Sequence, residues 1–337
     1  MTRRDFFYNA AAPLVLGSLA PGLRADEPRS KMGIATTSYM TARRFHDTYE
    51  FLEHCHSLGA AGIQSQLNGD MARIRARAEE HNMYVEAIIG LPRGADTSLF
   101  ERTVQNAKSA GALCVRANAG GRRYEDFSTL ADYRLFAEHA KAALKAAIPI
   151  CEKYKIPLAL ENHKDWTLEQ ITGLMKSYSS EYFGACMDFG NNIALLDDPM
   201  DVAEQLAPYA VTTHVKDMGV EGYGDGFLLS EMRLGEGFLD LARMMSLVHQ
   251  ARPKTNFNLE MITRDPLKVP CFTDGYWATF PDRSGLFLAR TLRLVQKEAQ
   301  PGKPLPRISQ LSHDEQVAVE AENVRACLRY ARQKLGM

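Results

Sequence analysis

The sequence of 337 residues has little of what marks several large protein classes. Its 40 Lys and Arg residues face 41 Asp and Glu residues, so it offers no polybasic surface to nucleic acid or anionic lipid. The six cysteines form no CxxC pair, which disfavours a disulfide framework and a cysteine zinc site. No segment has the length and hydrophobicity needed for stable membrane insertion. With 45% hydrophobic and 24% charged residues, the composition is that of an ordinary globular protein.

The first 25 residues have the pattern of an export signal. Arg3 and Arg4 are followed by two aromatic residues and by a moderately apolar stretch that ends at Leu23. Twin arginines before such a stretch, with the small residue Ala25 at its end, resemble a twin-arginine export signal. Residues 1–25 are therefore predicted to direct export to the periplasm and to be removed after Ala25. The alternative is a disordered, mildly basic N-terminus.

From residue 32 onward, short β-rich runs alternate with amphipathic segments of helical period. The predicted strands are 32–39, 62–67, 84–90, 113–119, 157–163, 183–189, 211–217 and 256–262. The predicted helices are 47–58, 70–81, 98–110, 128–155, 168–178, 200–207, 238–250 and 284–297. Eight strand–helix pairs of roughly 30 residues predict an α/β fold, a (β/α)8 TIM barrel over residues 26–300. A doubly wound fold is disfavoured because no GxGxxG follows the first strand.

Two segments extend this minimal barrel. The connection 263–283 after the last strand is long and rich in aromatic residues, which is typical of an ordered functional lid. Beyond the eighth helix, residues 301–337 form a Pro-rich link and a C-terminal helix predicted at about 313–335. We expect this helix to pack under the barrel or on a neighbouring molecule.

Residues that suit a metal ion end four consecutive strands. Glu161 lies at the end of the fifth strand, Asp188 of the sixth, His214 of the seventh and Glu260 of the eighth. The C-terminal ends of barrel strands face one mouth, with neighbouring strands about 4.8 Å apart. Three carboxylates gathered there would repel one another unless a cation lay between them. Three carboxylates and one imidazole suit one divalent ion, manganese first, with magnesium, cobalt or zinc as alternatives.

These strand ends resemble a known family. The runs LENH, MDFGN, THVKD and LEMI, with LGEG at 234–237, are similar to the xylose isomerase-like superfamily of TIM barrels. Its members include the tagatose and psicose 3-epimerases, hydroxypyruvate isomerase, inosose dehydratase and, more distantly, endonuclease IV. The resemblance covers residues 32–297 and implies a metal-dependent sugar isomerase or epimerase.

The chemistry that the resemblance implies is proton abstraction next to a carbonyl, with a divalent ion stabilising the enediolate. Glu161 and Glu260 would approach from opposite sides of the ion and act both as ligands and as acid/base groups. Asp188 and His214 would only hold the ion.

Two further residues are candidates for catalysis. Period-two alternation places His163 and Lys216 on the same sides of their strands as Glu161 and His214. His163 would shuttle a proton or bind a hydroxyl group, unless it only supports a ligand from behind. Lys216 would stabilise the enolate oxygen, unless it only forms a salt bridge to Asp217 or another carboxylate.

The substrate clamp of the ketose 3-epimerases is incomplete in this sequence. Asn191 stands where those enzymes have His, and Thr167 and Val220 stand where they have Glu and Arg. Two loop arginines, Arg233 and Arg264, are therefore expected to supply the missing positive charge. Alternatively, they are solvated charges of their loops. The candidate substrate-binding residues are Asn191, Arg233, Arg264 and Trp277.

Three functions remain compatible with such a barrel. An isomerase or epimerase of an unphosphorylated carbohydrate is the first, because Glu221 and Asp225 would repel phosphate from the loop 220–226. A lyase or dehydratase acting on a keto-sugar, an inosose or a 3-keto-glycoside would need the same metal and an added acid. A non-catalytic sugar-binding barrel is the third. An endonuclease IV-like activity is disfavoured by the near-neutral charge and by Asn191 in place of a zinc ligand. The family and the extra helix also suggest a homodimer.

Overall fold

Parallel pairing closes the barrel that the sequence predicts. The computed structural model describes residues 29–300, 302 and 304–337, so the predicted export signal lies outside the described residues. In chain order the strands are β1 (Gly33–Ala35), β2 (Gly62–Ser65), β3 (Tyr84–Ile88), β4 (Val115–Ala117), β5 (Leu158–Glu161), β6 (Phe183–Asp188), β7 (Ala210–Val215), β8 (Asp217–Tyr223), β9 (Gly226–Met232), β10 (Asn256–Leu259) and β11 (Leu267–Val269). The closed barrel has the order β1-β10-β7-β6-β5-β4-β3-β2, which confirms the predicted TIM barrel.

Helices follow the barrel strands and cover the outside of the barrel. They are α1 (Thr48–Ser57), α2 (Met71–Glu80), α3 (Ser98–Ser109), α4 (Arg123–Asp126), α5 (Leu130–Tyr154), α6 (Leu168–Ser177), α7 (Pro199–Leu206), α8 (Leu241–Ala251), α9 (Asp274–Trp277), α10 (Gly285–Glu298) and α11 (His313–Lys334). Their apolar residues recur at helical spacing and face the sheet, as Leu144, Ala147 and Cys151 do on α5. None of the helices in the described ranges is long and apolar enough to cross a membrane.

The strand register aligns the four predicted metal ligands at one rim of the barrel. Asp188 on β6 pairs directly with His214 on β7, and Glu161 on β5 pairs with Cys186 on β6. Glu260 follows β10, and its backbone N–H donates a hydrogen bond to the carbonyl of Val215 at 2.9 Å. All four residues therefore lie at the C-terminal ends of adjacent strands.

A second, smaller sheet departs from the predicted elements. The segment read as a strand over 211–217 divides, because β7 ends at Val215 and Asp217 begins β8. The Gly-rich insertion 218–237 contains a hairpin, in which β8 and β9 pair antiparallel. β11, from the predicted lid, adds to β9 and completes a three-stranded sheet. Both segments are therefore more regular than the loop and lid that the sequence suggested.

The C-terminal helix packs at the mouth of the barrel, not beneath it. Glu320 of α11 is fully buried and accepts hydrogen bonds from the backbone N–H groups of Thr41, Ala42 and Arg43 at 2.8–3.1 Å. These three residues belong to the loop between β1 and α1, at the C-terminal end of the strands. The last helix therefore fixes a loop beside the predicted site.

The substitution Glu320→Gln is expected to lower the free energy of unfolding by about 1–3 kcal/mol. The amide NH2 would face at least one of the three backbone donors and leave it buried without an acceptor. Urea denaturation measures the change, with Glu322→Gln as the matched control. Glu322 is half-exposed and pairs with Arg325 and Arg329, so its substitution should cost about 1 kcal/mol or less. Equal losses in the two variants would contradict the role given to Glu320.

Candidate metal centre and active site

Four buried side chains of the metal-ligating type meet at the mouth of the barrel. Ligand atoms of Glu161, Asp188, His214 and Glu260 all lie within 4.8 Å of one another, and each residue is at most 2% exposed. His214 Nδ1 is 3.3 Å from an oxygen of Glu161, 3.3 Å from one of Glu260 and 3.7 Å from one of Asp188. The structure thus brings together all four residues that the sequence proposes as ligands. We call them the four-residue cluster.

The imidazole of His214 is oriented as a metal ligand would be. Its Nε2 lies 2.6 Å from Oε1 of Gln64, an amide oxygen that can only accept a hydrogen bond. The ring proton is therefore assigned to Nε2, which leaves the lone pair of Nδ1 directed at the three carboxylates. Within the described part of the chain, His214 Nδ1 is buried without a hydrogen-bond partner. This orphaned nitrogen and the three carboxylates fit one divalent ion with oxygen and nitrogen ligands.

A polar network inside the barrel holds Gln64 in place. Its amide group donates to Glu86 at 3.0 Å, and Glu86 also accepts from Thr212, Asn256 and Asn258 at 2.6–2.9 Å. These four donors fix the carboxylate of Glu86, which in turn accepts the NH2 group of Gln64. The Gln64 amide cannot turn over without losing this bond, so its oxygen stays directed at His214. Sequence reasoning missed this network, although a glutamate in the otherwise apolar run YVEAI was a visible signal.

Lys216 lies beside the cluster as a buried cation. Its Nζ is 2.8 Å from an oxygen of Asp188 and contacts a second carboxylate, that of Glu260. Burial acts to lower the pKa of Lys216, but these carboxylates more than offset it and raise the pKa. Lys216 therefore pairs within the site and not with Asp217, which instead accepts backbone N–H bonds from Gly235 and Gly237 of the LGEG run.

Arg116 is the main site residue that sequence reasoning missed. It lies on β4, is 7% exposed, and its guanidinium forms an ion pair with Glu161. The available signal was the one charged residue in the predicted strand LCVRANA, since a charge buried in a barrel strand needs a partner. Both carboxylates at the ends of the cluster therefore contact a buried cation, Glu161 through Arg116 and Glu260 through Lys216.

Asn191 contacts the side chain of Glu161, whereas His163 lies two residues further along the chain and donates its backbone N–H to the carbonyl of Glu161 at 3.0 Å. The side-chain amide of Asn191 donates to Glu161 Oε1 at 3.1 Å, and the backbone N–H of the same residue donates to Asp188 at 2.7 Å. Burial, helped by Lys164 and Arg116, lowers the pKa of His163 to about 4. His163 is therefore neutral near pH 7 and suited to accept a hydrogen bond from a hydroxyl group, but it is a weak base.

The other three predicted substrate-binding residues are held by partners outside the cluster. Arg233 donates to Asn323 of α11 at 2.8 Å. Arg264 forms a two-point ion pair with Glu231 of β9 at 2.5 and 3.1 Å. Trp277 is half-buried in α9, where its indole N–H donates to the carbonyl of Cys271 at 2.9 Å. Their roles in substrate binding stay predictions.

A cavity of about 450 Å³ opens at the ends of β1–β4. Two of its lining residues contact the cluster directly: Thr37 donates to Glu260 at 2.8 Å, and Arg116 pairs with Glu161. A larger cavity of about 790 Å³ lies between α5 and α6, on the outside of the barrel. Of these two cavities, the smaller one adjoins the cluster, which makes it the candidate substrate cavity.

Near this site, Asp165 is a fully buried carboxyl whose Oδ1 accepts the N–H of Trp166 at 2.9 Å. Burial raises the pKa of Asp165 to about 7, against about 3.9 in an unfolded chain. Between about pH 4 and pH 7 the native state keeps a proton that the unfolded chain has lost, so this group's contribution to stability falls as the pH rises.

The substitution Asp165→Asn should remove this decline while keeping the oxygen that accepts from Trp166. Relative to wild type, the variant's free energy of unfolding is expected to rise by a few kcal/mol between about pH 4 and pH 7 and then stay level. Denaturant titrations across this range measure it. A difference between the two proteins that does not change with pH would contradict a buried, protonated Asp165.

Comparisons with known proteins agree with this architecture. A sequence model of the family described as xylose isomerase-like TIM barrel matches residues 52–276. Among curated proteins, the 3-oxo-isoapionate decarboxylase of Pectobacterium atrosepticum is 25% identical over 212 residues, which are 62% of this chain and 70% of that protein.

Two solved structures share the fold. One is D-psicose 3-epimerase in the presence of D-fructose, with a TM-score of 0.57, 15% identity, and coverage of 91% of this chain and 99% of its own. The other is the IolI protein with a bound zinc atom, with a TM-score of 0.55, 14% identity, and coverage of 79% and 98%. At such identities the likeness concerns the fold alone.

Proposed function

Because this chain belongs to the xylose isomerase-like TIM barrel family, we propose that it is a divalent-metal-dependent enzyme acting next to a carbonyl of a carbohydrate, as an isomerase or epimerase. The observation that carries the proposal is the placement of Glu161 and Glu260. Glu161 ends β5 and Glu260 follows β10, with β6 and β7 between these strands, so the two residues lie at the ends of the four-residue cluster. One carboxylate can then take a proton from one side of a carbon while the other returns it.

The residues of the cluster divide into two groups by their surroundings. Asp188 and His214 are fixed by bonds to Asn191 and Gln64, and they would hold the ion. A bound divalent ion would polarise the carbonyl and stabilise negative charge developing beside it. Lys216 adds a fixed positive charge at the same place, suited to an enolate oxygen.

A lyase that removes carbon dioxide or water beside a carbonyl is a second candidate, favoured by the cations at both ends of the cluster. A carboxylate bonded to Arg116 or Lys216 is a weaker acceptor for a proton from carbon. Decarboxylation needs no such base. The bond to the carboxylate breaks, carbon dioxide leaves, and the electron pair stays on carbon, which then takes a proton from Lys216. The curated relative from Pectobacterium is named as a decarboxylase.

Solvent-deuterium incorporation, followed by NMR on the manganese-loaded full chain, tests the proposal. The substrates are ketoses, inososes, 3-keto-glycosides and oxo-sugar acids, each with a chelated control. Deuterium is expected next to the carbonyl only with metal present and is expected to vanish in Glu260→Gln. The matched control is Glu79→Gln, a carboxylate exposed on α2 that pairs with Arg75.

The products separate the two candidates. Inversion at carbon or a shifted carbonyl supports the isomerase or epimerase, whereas loss of water or carbon dioxide supports the lyase. Bound metal without exchange or product for any substrate would overturn both.

A further inference from the structure

We infer that the substrate carries a carboxylate and that Arg43, Arg44 and Arg116 bind it in the 450 Å³ cavity beside the four-residue cluster. The inference rests on the proposed function, because it concerns the same site and names the class of its substrate. Oxo-sugar acids fit this class, and neutral ketoses do not.

The position of the cavity relates the arginines to the reacting centre. Thr37 and Arg116 line the cavity and also contact Glu260 and Glu161, the carboxylates at the two ends of the cluster. A molecule in the cavity therefore reaches both ends of the cluster. Hydroxyl and amide groups of Thr48, Ser65, Gln66 and Asn68 line the rest of the cavity and suit a polyhydroxylated chain.

The charge of the cavity is strongly one-sided. Its lining contains three arginines and a single acidic residue, Asp47. The carboxylate of Asp47 is already engaged, since it accepts the N–H of Glu50 at 2.8 Å as the N-cap of α1. Among the described residues, no carboxylate lies within ion-pair distance of Arg43 or Arg44. Two of the three guanidinium groups thus face the cavity without an acidic partner from the chain.

The cluster itself also calls for an anion. Its three carboxylates already face two cations, Lys216 and Arg116. Adding a divalent ion would bring the formal charge of these groups to +1 at the barrel mouth, with the buried Glu86 lying deeper, behind Gln64, and a neutral sugar would not compensate it there. A carboxylate bound by Arg116 from the cavity side would do so.

The loop that carries Arg43 and Arg44 is fixed before any ligand binds. Glu320 holds its backbone through three N–H groups, as described above. Nη1 of Arg44 donates to the carbonyl of Met40 at 2.8 Å, and the guanidinium of Arg43 stacks 4.8 Å from the centre of the Phe45 ring. Arginine side chains held in this way lose little conformational entropy when a ligand binds, and their planar guanidinium groups match the planar geometry of a carboxylate.

The test compares two probes that differ only in their charged end, D-gluconate and D-glucitol. Their affinities for the full chain are measured by calorimetry, once with magnesium and once with chelator. Gluconate is expected to bind about tenfold tighter or more, which is the effect of a charge-assisted hydrogen bond. The double substitution Arg43→Gln and Arg44→Gln should reduce this preference to about threefold or less in both conditions. The control is Arg243→Gln, an arginine exposed on α8 that pairs with Glu204.

Equal affinity for the two probes, no detectable gluconate binding, or a preference that survives the double substitution would overturn the inference. A preference that survives only with magnesium would assign the carboxylate to the metal, and one that survives in chelator would assign it to Arg116 without Arg43 and Arg44. Deuterium exchange into neutral ketoses by a protein without carboxylate preference would remove this inference and keep the proposed function. Arginine-dependent gluconate binding without deuterium exchange in any substrate would support this inference and overturn the proposed function.

Discussion

Replacing Arg116 with methionine is expected to destabilise the metal-free protein by about 3–5 kcal/mol. Glu161 is 1% exposed, and Arg116 is a buried cation in direct contact with it. Without that partner, the carboxylate would be buried next to those of Asp188 and Glu260. It would then have to take up a proton or draw water into the barrel, and both lower the stability of the native state.

Metal should reverse much of this loss, since a divalent ion supplies the positive charge that the variant lacks. Urea denaturation with chelator and with manganese measures both values for wild type and Arg116→Met. The matched control is Arg77→Met, whose partly exposed pairs with Glu53 and Glu80 should contribute little to stability in either condition. An equal loss with and without metal would show that Glu161 does not face the ion.

The barrel and the four-residue cluster could be predicted because both follow from local patterns repeated along the chain. Each strand–helix unit has its own periodicity, and parallel register places every strand end at one rim. Asp188 and His214 are thus direct partners in the sheet although they lie 26 residues apart in sequence.

Arg116 and Gln64 could not be placed in the same way. Gln64 lies on β2, three strands from β7 around the barrel, so its contact to His214 crosses the interior. Arg116 lies inside β4 and reaches Glu161 from the neighbouring strand. Such contacts depend on side-chain length and direction inside a closed barrel, and no spacing along the chain encodes them. Polar residues within apolar strands were the available signal.

The second sheet and the last helix were misjudged for a related reason. β8 and β9 are joined by a turn at residues 224–225 inside an insertion, and the sequence there is rich in glycine. Their pairing with β11, from beyond β10, is a long-range contact. The position of α11 likewise rests on Glu320, whose three backbone partners lie more than 270 residues earlier.

The substitution Asp188→Asn is expected to weaken metal binding by about 100-fold or more and to abolish deuterium exchange. Asp188 is fully buried at the centre of the cluster and offers one oxygen to the ion position, while the other accepts the N–H groups of Gly190 and Asn191 at 2.8 and 2.7 Å. An asparagine can keep those two bonds through its oxygen. It then presents an NH2 group to the ion, which is no ligand and repels a cation.

The same substitution removes the ion pair of Asp188 with Lys216, but Lys216 keeps Glu260 as a partner and the steric change is small, so the fold should be retained with some loss of stability. Calorimetric titration with manganese gives the affinity, and thermal unfolding in chelator gives the stability. Asp198→Asn is the control, since that residue caps α7 away from the cluster and should not alter metal affinity. Unchanged manganese affinity in Asp188→Asn would show that the ion binds elsewhere. That result would remove the physical reason for gathering three carboxylates at the barrel mouth, and with it the basis for enediolate chemistry at this site.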